Sequence, residues 1–329
     1  MQRMRDRKAA VFAAACIATA ALIAPAHAQE VVLRFAHEAP ETAIKGQTAN
    51  KLAELVKEYT NGAVEVQVFP GAQLVPTVDE LRAVSRGQVD IVAPYTSYFS
   101  AIDQAWDVFY QPMLFDSPQQ AIEVFAGPVG RSVLDRVQES GLVGLSIWHD
   151  GPVYVFSKDR EIKVPRDLAG LAARVAPSAP LEALLESASA TPVALPAPEV
   201  YLALQQGVAN AVVTTPTFTG PARWHEVLRH GTRVMWGVGG YGVVMNARSL
   251  EKLSDEQREA FLRAVEDAAV WNQEQAVDNI NHWEGFLADE GLQWYDPTDE
   301  ERELWKAEGS KIWETQPDVI KGYIAEINN

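Results

Sequence analysis

The chain has 329 residues, with 28 Lys and Arg against 44 Asp and Glu and a single cysteine. Its formal charge of −16 argues against nucleic acid and anionic membrane surfaces as partners, since both would be repelled over most of the protein. No segment reaches 18 uninterrupted apolar residues, so no membrane-spanning helix is expected.

Residues 1–28 read as an export signal. Arg3, Arg5, Arg7 and Lys8 precede a nearly continuous apolar run over 9–23, and Ala26-His27-Ala28 supplies an A-x-A cleavage site before Gln29. A lipoprotein signal ending at Cys16 fits less well, because Ala13 stands where a Leu-like residue is expected. Cleavage after Ala28 delivers the mature chain to the periplasm and removes the cysteine, leaving no disulfide and no thiol. About 300 residues can bury enough core to do without one. Cleavage also removes four basic residues and one acidic residue, leaving 24 against 43 and a formal charge of −19. An anionic ligand would need a local cationic pocket that overrides this field. The length suggests two domains.

In chain order, 31–36 predicts a strand ending in the polar pair His37-Glu38, and 43–59 has helical periodicity up to the stop signal Asn61-Gly62. The alternation of Val64, Val66 and Val68 with Glu65 and Gln67 predicts a strand over 64–69. A short helix over 77–86 and a strand over 89–93 follow. Further helix is expected within 117–140 and a strand over 143–148. The strand–helix–strand rhythm favours a mostly parallel α/β sheet. A second round brings strands over 153–157, 172–175 and 210–213, with helices over 180–187 and 198–206. Residues 254–287 predict one long helix, free of internal proline and opened by the capping-box-like Ser254-Asp255-Glu256-Gln257. The tail from 298 reads as amphipathic helices on the outside.

Arg174 sits alone among apolar residues in the strand 172–175. A buried guanidinium needs an anionic partner, and its planar fork suits a carboxylate held at two points. That partner is either a bound acid or an Asp or Glu of the chain. Enzyme chemistry finds little support. The histidines at 27, 37, 149, 225, 230 and 282 show no metal spacing, and His37-Glu38 lacks the later His of H-E-x-x-H. The glycine-rich 237–242 precedes a strand instead of opening a helix, and Gly144-Leu145-Ser146 lacks the second glycine of a nucleophile elbow. No catalytic role, cofactor or metal is assigned.

Four segments, in order, carry a family resemblance. The first is Phe69-Pro70-Gly71-Ala72-Gln73-Leu74 with Glu80-Leu81 and 87–91, and the second is Gln111-Pro112-Met113-Leu114-Phe115. The third is Asp167-Leu168-Ala169-Gly170-Leu171 leading to Arg174, similar to D-L-x-G-x-K-x-R. The fourth, Glu199-Val200-Tyr201-Leu202-Ala203-Leu204-Gln205-Gln206-Gly207, is similar to E-V-Y-x-A-L-Q-x-G. Over 30 to about 290 the chain resembles the periplasmic solute-binding proteins of TRAP transporters, the branch labelled C4-dicarboxylate-binding.

The resemblance implies two α/β lobes with a ligand cleft between them and a long helix spanning both. Lobe I would take 29–150 plus about 237–278, and lobe II 151–236 plus about 279–329. It implies that Arg174 grips a ligand carboxylate, that the receptor is a monomer, and that integral-membrane transport subunits are its partners. A sensing module that feeds a signalling partner shares the same features; an exported hydrolase or lyase is a more distant alternative. The further candidate ligand contacts are Tyr95, Glu38, His37, Trp148, His149, Thr214, Thr215 and Trp236. Phe218 and Tyr241 also fall near cleft-facing positions, with core packing as the alternative.

This chain departs from the pattern in places. Val153 stands where many relatives carry a second cleft arginine, and Ala197 replaces an aromatic residue. These departures lead to the expectation of one carboxylate at Arg174 and an apolar or hydroxylated body, with Lys45 or His149 as possible substitutes for the missing arginine.

Overall fold

A computed structural model describes residues 31–328, so the expected export signal lies outside the described residues. Among the described residues there are eleven strands: β1 (Val31–Ala36), β2 (Val64–Phe69), β3 (Ile91–Val92), β4 (Leu142–Pro152), β5 (Tyr154–Ser157), β6 (Ala172–Val175), β7 (Thr191–Ala194), β8 (Ala211–Thr214), β9 (His230–Thr232), β10 (Val238–Asn246) and β11 (Gln293–Tyr295). They form two sheets, ordered β2-β1-β3-β10-β4 and β11-β9-β5-β8-β6-β7. Helices pack around both, giving a two-lobed α/β architecture.

Both sheets are mixed. β1 runs parallel to β2 and β3, while β10 is antiparallel to β3 and β4. In the second sheet β6 is parallel to β7 and β8, whereas β5 is antiparallel to β8 and β9. The antiparallel members are the strands that carry the chain between the lobes. The expectation of mostly parallel sheets holds apart from one reversed strand in each, β10 and β5.

The two strand crossings lie side by side. Only Val153 separates the end of β4 from the start of β5, and the return runs through 233–237 into β10. Val153 N–H donates to the Gly237 carbonyl at 3.0 Å, and Trp236 N–H donates to the Val153 carbonyl at 2.9 Å. Gly237 has φ 152°, and a Cβ there would stand 2.7 Å from the Phe109 carbonyl oxygen, so this crossing requires glycine.

The third connection is the helix Asp255–Asp289. Ser254 Oγ accepts from Gln257 N–H while the Gln257 side chain accepts from Ser254 N–H, so both partners of the capping box are present. Its buried stripe includes Phe261, Ala264, Val265, Ala268, Ala276 and Ile280. The small alanines let it approach the helix Ile44–Tyr59 and strand β4, and farther along it packs on the short helix Pro216–Thr219 of the second lobe. Asn272 is the polar member of the stripe. Its Oδ1 accepts from His149 N–H at 2.6 Å and its Nδ2 donates to the His149 carbonyl and Thr48 Oγ1, both at 3.2 Å.

The first sheet draws its strands from 31–152 and 238–246, the second from 154–232 and 293–295. The helix Asp299–Glu314 lies against the second-lobe helix Ala179–Ser187, and Trp305 Nε1 donates to the Lys163 carbonyl. The last helix, Asp318–Ile327, instead returns to the first lobe. It packs on 104–110 and 128–135, with Tyr323 and Ser132 hydroxyls 2.8 Å apart. Its amphipathic sequence reveals an apolar face but not which lobe receives it.

A pocket between the lobes

Arg174 lies on β6, one strand in from the edge of the second sheet, with β7 and β8 on either side. Its Nε and Nη2 both donate to the Leu195 carbonyl, at 3.0 and 2.7 Å, and its guanidinium lies over the Trp224 ring at 5.4 Å from the centroid. Among the described residues Arg174 forms no ion pair, and Nη1 forms no hydrogen bond. The side chain is buried, and burial presses its pKa down to about 10, partly offset by Tyr98, Tyr95 and Glu38. It therefore stays charged at neutral pH, held by a neutral carbonyl and an aromatic face. The reading in which a chain carboxylate neutralises it is not realised in this structure.

Arg174 opens onto a pocket enclosing about 500 Å³ of space between atoms, the water at its mouth included. The first lobe supplies Glu38, Thr77, Tyr95, Tyr98, Tyr110 and Asp150. Facing them from the second lobe are Ser178, Thr214, Phe218 and Trp224, with Ala176, Leu181, Ala197 and Val213 completing an apolar wall, and Val153 at the crossing. The Thr77, Tyr98 and Ser178 hydroxyls are buried with no hydrogen-bond partner. Desolvated hydroxyls without partners are costly, and a ligand bearing oxygen atoms would satisfy them.

Glu38 reaches the pocket from just beyond β1. Behind it, buried Lys45 donates to Glu38 Oε2 and to the Ala93 carbonyl at 2.8 Å, and lies 4.1 Å from the Tyr241 ring centroid. Glu80 is also buried nearby without a hydrogen bond; burial and repulsion from Glu38 push its pKa well up, opposed by Lys45. Lys45 is thus committed inside the first lobe and does not line the pocket.

Asp150 is placed by a β-bulge. Gly239 pairs with Gly151 and Gly240 with His149, so Asp150 is the extra residue on β4 and its side chain is re-aimed. Its carboxylate accepts from Thr215 Oγ1 at 2.7 Å and Thr217 Oγ1 at 2.8 Å, two second-lobe hydroxyls. Burial raises its pKa, and these hydroxyls oppose the rise. A hydrogen-bonded connection therefore crosses between lobes at the back of the pocket.

Of the residues singled out from sequence, Arg174, Tyr95, Glu38 and Thr214 line this pocket. His37, Trp148, His149, Thr215 and Trp236 do not. His37 is buried edge-on to the Phe35 ring, away from the pocket lining. Trp148 packs in the first-lobe core, 5.8 Å from Phe35 between ring centroids, and Trp236 packs on Trp305 at 5.3 Å. Thr215 acts on Asp150 from behind. His149 is fully enclosed beside Phe125 with both ring nitrogens unpartnered, and desolvation lowers its pKa to about 3. Neither Lys45 nor His149 presents a second cation to the pocket. Phe218 does line it, while Tyr241 is core.

Sequence reading missed Thr77, Tyr98, Tyr110, Asp150, Ser178 and Trp224 as wall residues. Tyr98 and Tyr110 lie in 3₁₀ turns, which lack the periodicity that marks a face. Trp224 reaches Arg174 only through the fold. Asp150 carried one legible cue, an acidic residue before Gly151-Pro152 at the end of an apolar strand.

The family model for DctP, described as bacterial extracellular solute-binding protein, family 7, matches residues 35–317. The chain is 31% identical to the C4-dicarboxylate-binding periplasmic protein DctP of Rhodobacter capsulatus over 288 residues, 87% of this chain and 86% of that protein. A TRAP periplasmic solute-binding protein from Sulfurospirillum deleyianum, solved with bound succinate, superposes with a TM-score of 0.84 at 28% identity, covering 91% of this chain and 98% of that one. Another, from Pseudomonas aeruginosa with bound L-malate, gives 0.82 at 25%, covering 87% and 100%. With sequence and architecture in agreement over nearly the whole described chain, the protein belongs to the family 7 bacterial extracellular solute-binding proteins, the TRAP type.

Proposed function

We propose that this protein is the extracytoplasmic receptor of a TRAP transporter, capturing a small organic acid between its lobes and handing it to integral-membrane subunits. The observation that carries this reading is that Arg174 lines the pocket yet forms no ion pair among the described residues. A carboxylate 4 Å away at an effective dielectric of 20 gains about 4 kcal/mol of attraction. Its oxygens also meet the unpartnered hydroxyls of Thr77, Tyr98 and Ser178. Closure by the paired crossings and the long helix would exclude water and strengthen each of these contacts.

Receptor action rather than catalysis fits the site, because no lining side chain pairs a nucleophile with a base. A periplasmic location is supported by the periplasmic relative and by the export signal read in residues 1–28; no described helix is long and apolar enough to cross a membrane. Isothermal titration of an acid panel into the wild-type protein and the Arg174→Met variant tests the reading. The expected result is at least a hundredfold loss of affinity in a variant with unchanged melting behaviour; equal affinity in the two proteins refutes it.

A further inference from the structure

Resting on the carboxylate–Arg174 reading, we infer that the ligand is a hydroxylated monocarboxylate and that Glu38 and Asp150 reject a second carboxylate. The charged side chains lining the pocket are one guanidinium, Arg174, and two carboxylates, Glu38 and Asp150. Lys45 is engaged by Glu38 and the Ala93 carbonyl and offers no face to the ligand. A dicarboxylate held at Arg174 would have to set its other end beside Glu38 or Asp150, or against the apolar wall of Val153, Ala176, Leu181, Val213 and Phe218. Each placement is unfavourable, by like-charge repulsion or by desolvation of an unpaired anion.

A hydroxyl fits the same space. Asp150 accepts from Thr215 and Thr217, which leaves acceptor capacity on a group with about four lone-pair sites. Glu38 Oε1 accepts no hydrogen bond among the described residues. Nearby, the Thr77 and Ser178 hydroxyls need partners as well. A ligand hydroxyl can donate to the carboxylates and accept from these residues, whereas an ammonium can only donate. Relatives solved with succinate and L-malate hold diacids, so diacids belong in the test.

The test is titration calorimetry with two matched pairs, 4-hydroxybutyrate against succinate and gluconate against glucarate. Within each pair a terminal hydroxymethyl replaces a carboxylate. The expected result is that at least one hydroxy monoacid binds and does so at least tenfold more tightly than its diacid, with the preference shrinking in Asp150→Asn. Tighter binding of succinate or glucarate, equal binding within both pairs, or no binding of either hydroxy acid overturns the assignment. Repeating the titration of any bound acid on Arg174→Met separates the two levels. Lost binding there with a diacid preference leaves the Arg174 reading standing and removes only the ligand class. Retained binding removes the Arg174 reading itself. Should Asp150→Asn fail to fold, the wild-type comparison decides alone.

Discussion

Arg174 and Leu195 form the fixed point of the pocket: one backbone carbonyl accepts from both Nε and Nη2, at 3.0 and 2.7 Å. This bifurcated contact orients the guanidinium without neutralising it, and leaves Nη1 without a hydrogen bond among the described residues. A lysine has no second nitrogen with which to hold Leu195 while meeting a carboxylate. Arg174→Lys should therefore fold normally yet bind its acid about tenfold to a hundredfold more weakly, a loss of about 1.4–2.8 kcal/mol. Titration against the wild type checks this, and unchanged affinity would show that the Leu195 contact has no part in presenting the charge.

Gly237 controls the paired crossings. Alanine there would meet the Phe109 carbonyl and keep an unfavourable positive φ. Gly237→Ala should cost about 2 kcal/mol or more in urea unfolding. Because the displaced segment hydrogen-bonds to Val153, small-angle scattering of the ligand-saturated variant should also show a larger radius of gyration than wild type. A variant of wild-type stability and compactness would mean the crossing tolerates a side chain.

His149 is enclosed with both ring nitrogens unpartnered, and its pKa falls from 6.5 to about 3. The unfolded chain takes up the proton first, so the native state loses stability as pH falls from about 6.5 toward 3, by up to about 1.4 kcal/mol per unit. His149→Leu should remove that slope and, by deleting a buried unsatisfied group, add about 1–3 kcal/mol at pH 7. Asp107, which burial raises to about 6, gives the opposite slope but is common to both proteins. The wild-type-minus-variant difference in denaturation between pH 6 and 4 isolates the histidine, and parallel curves would contradict its buried neutral state.

Lys45 is ion-paired with buried Glu38 and acts electrostatically on buried Glu80. Lys45→Met leaves both without a cation, and breaking such a pair costs about 3–5 kcal/mol. Adding Glu38→Gln to that variant should recover part of the loss, since the stranded charge is then gone. Denaturation of the single and double variants checks the sign. A double variant less stable than the single would mean that Glu38 is held by something other than Lys45.

The fold was legible where periodicity is strong. The stripe from Phe261 to Ile280 and the alternation in Val64–Phe69 marked a helix and a strand that the structure contains. Some short strands were not: Thr191–Ala194 carries a proline, His230–Thr232 spans three residues, and both gain their sheet hydrogen bonds only from strands elsewhere in the sequence. In the pocket, the lone guanidinium in an apolar strand pointed to Arg174 before any fold was known. His149 and Asp150 show the limit. They are adjacent, yet the bulge sends the carboxylate to the pocket and leaves the imidazole beside Phe125, a register effect set by β10 and invisible in β4 alone.

The most direct measurement is a crystal structure of the protein with whichever acid binds most tightly in titration. The expected density places one ligand carboxylate about 2.8–3.0 Å from Arg174 Nη1, with the Leu195 contacts intact and the lobes closed over it. A ligand carboxylate seated elsewhere, with Arg174 still touching only Leu195 and Trp224, would contradict the central claim.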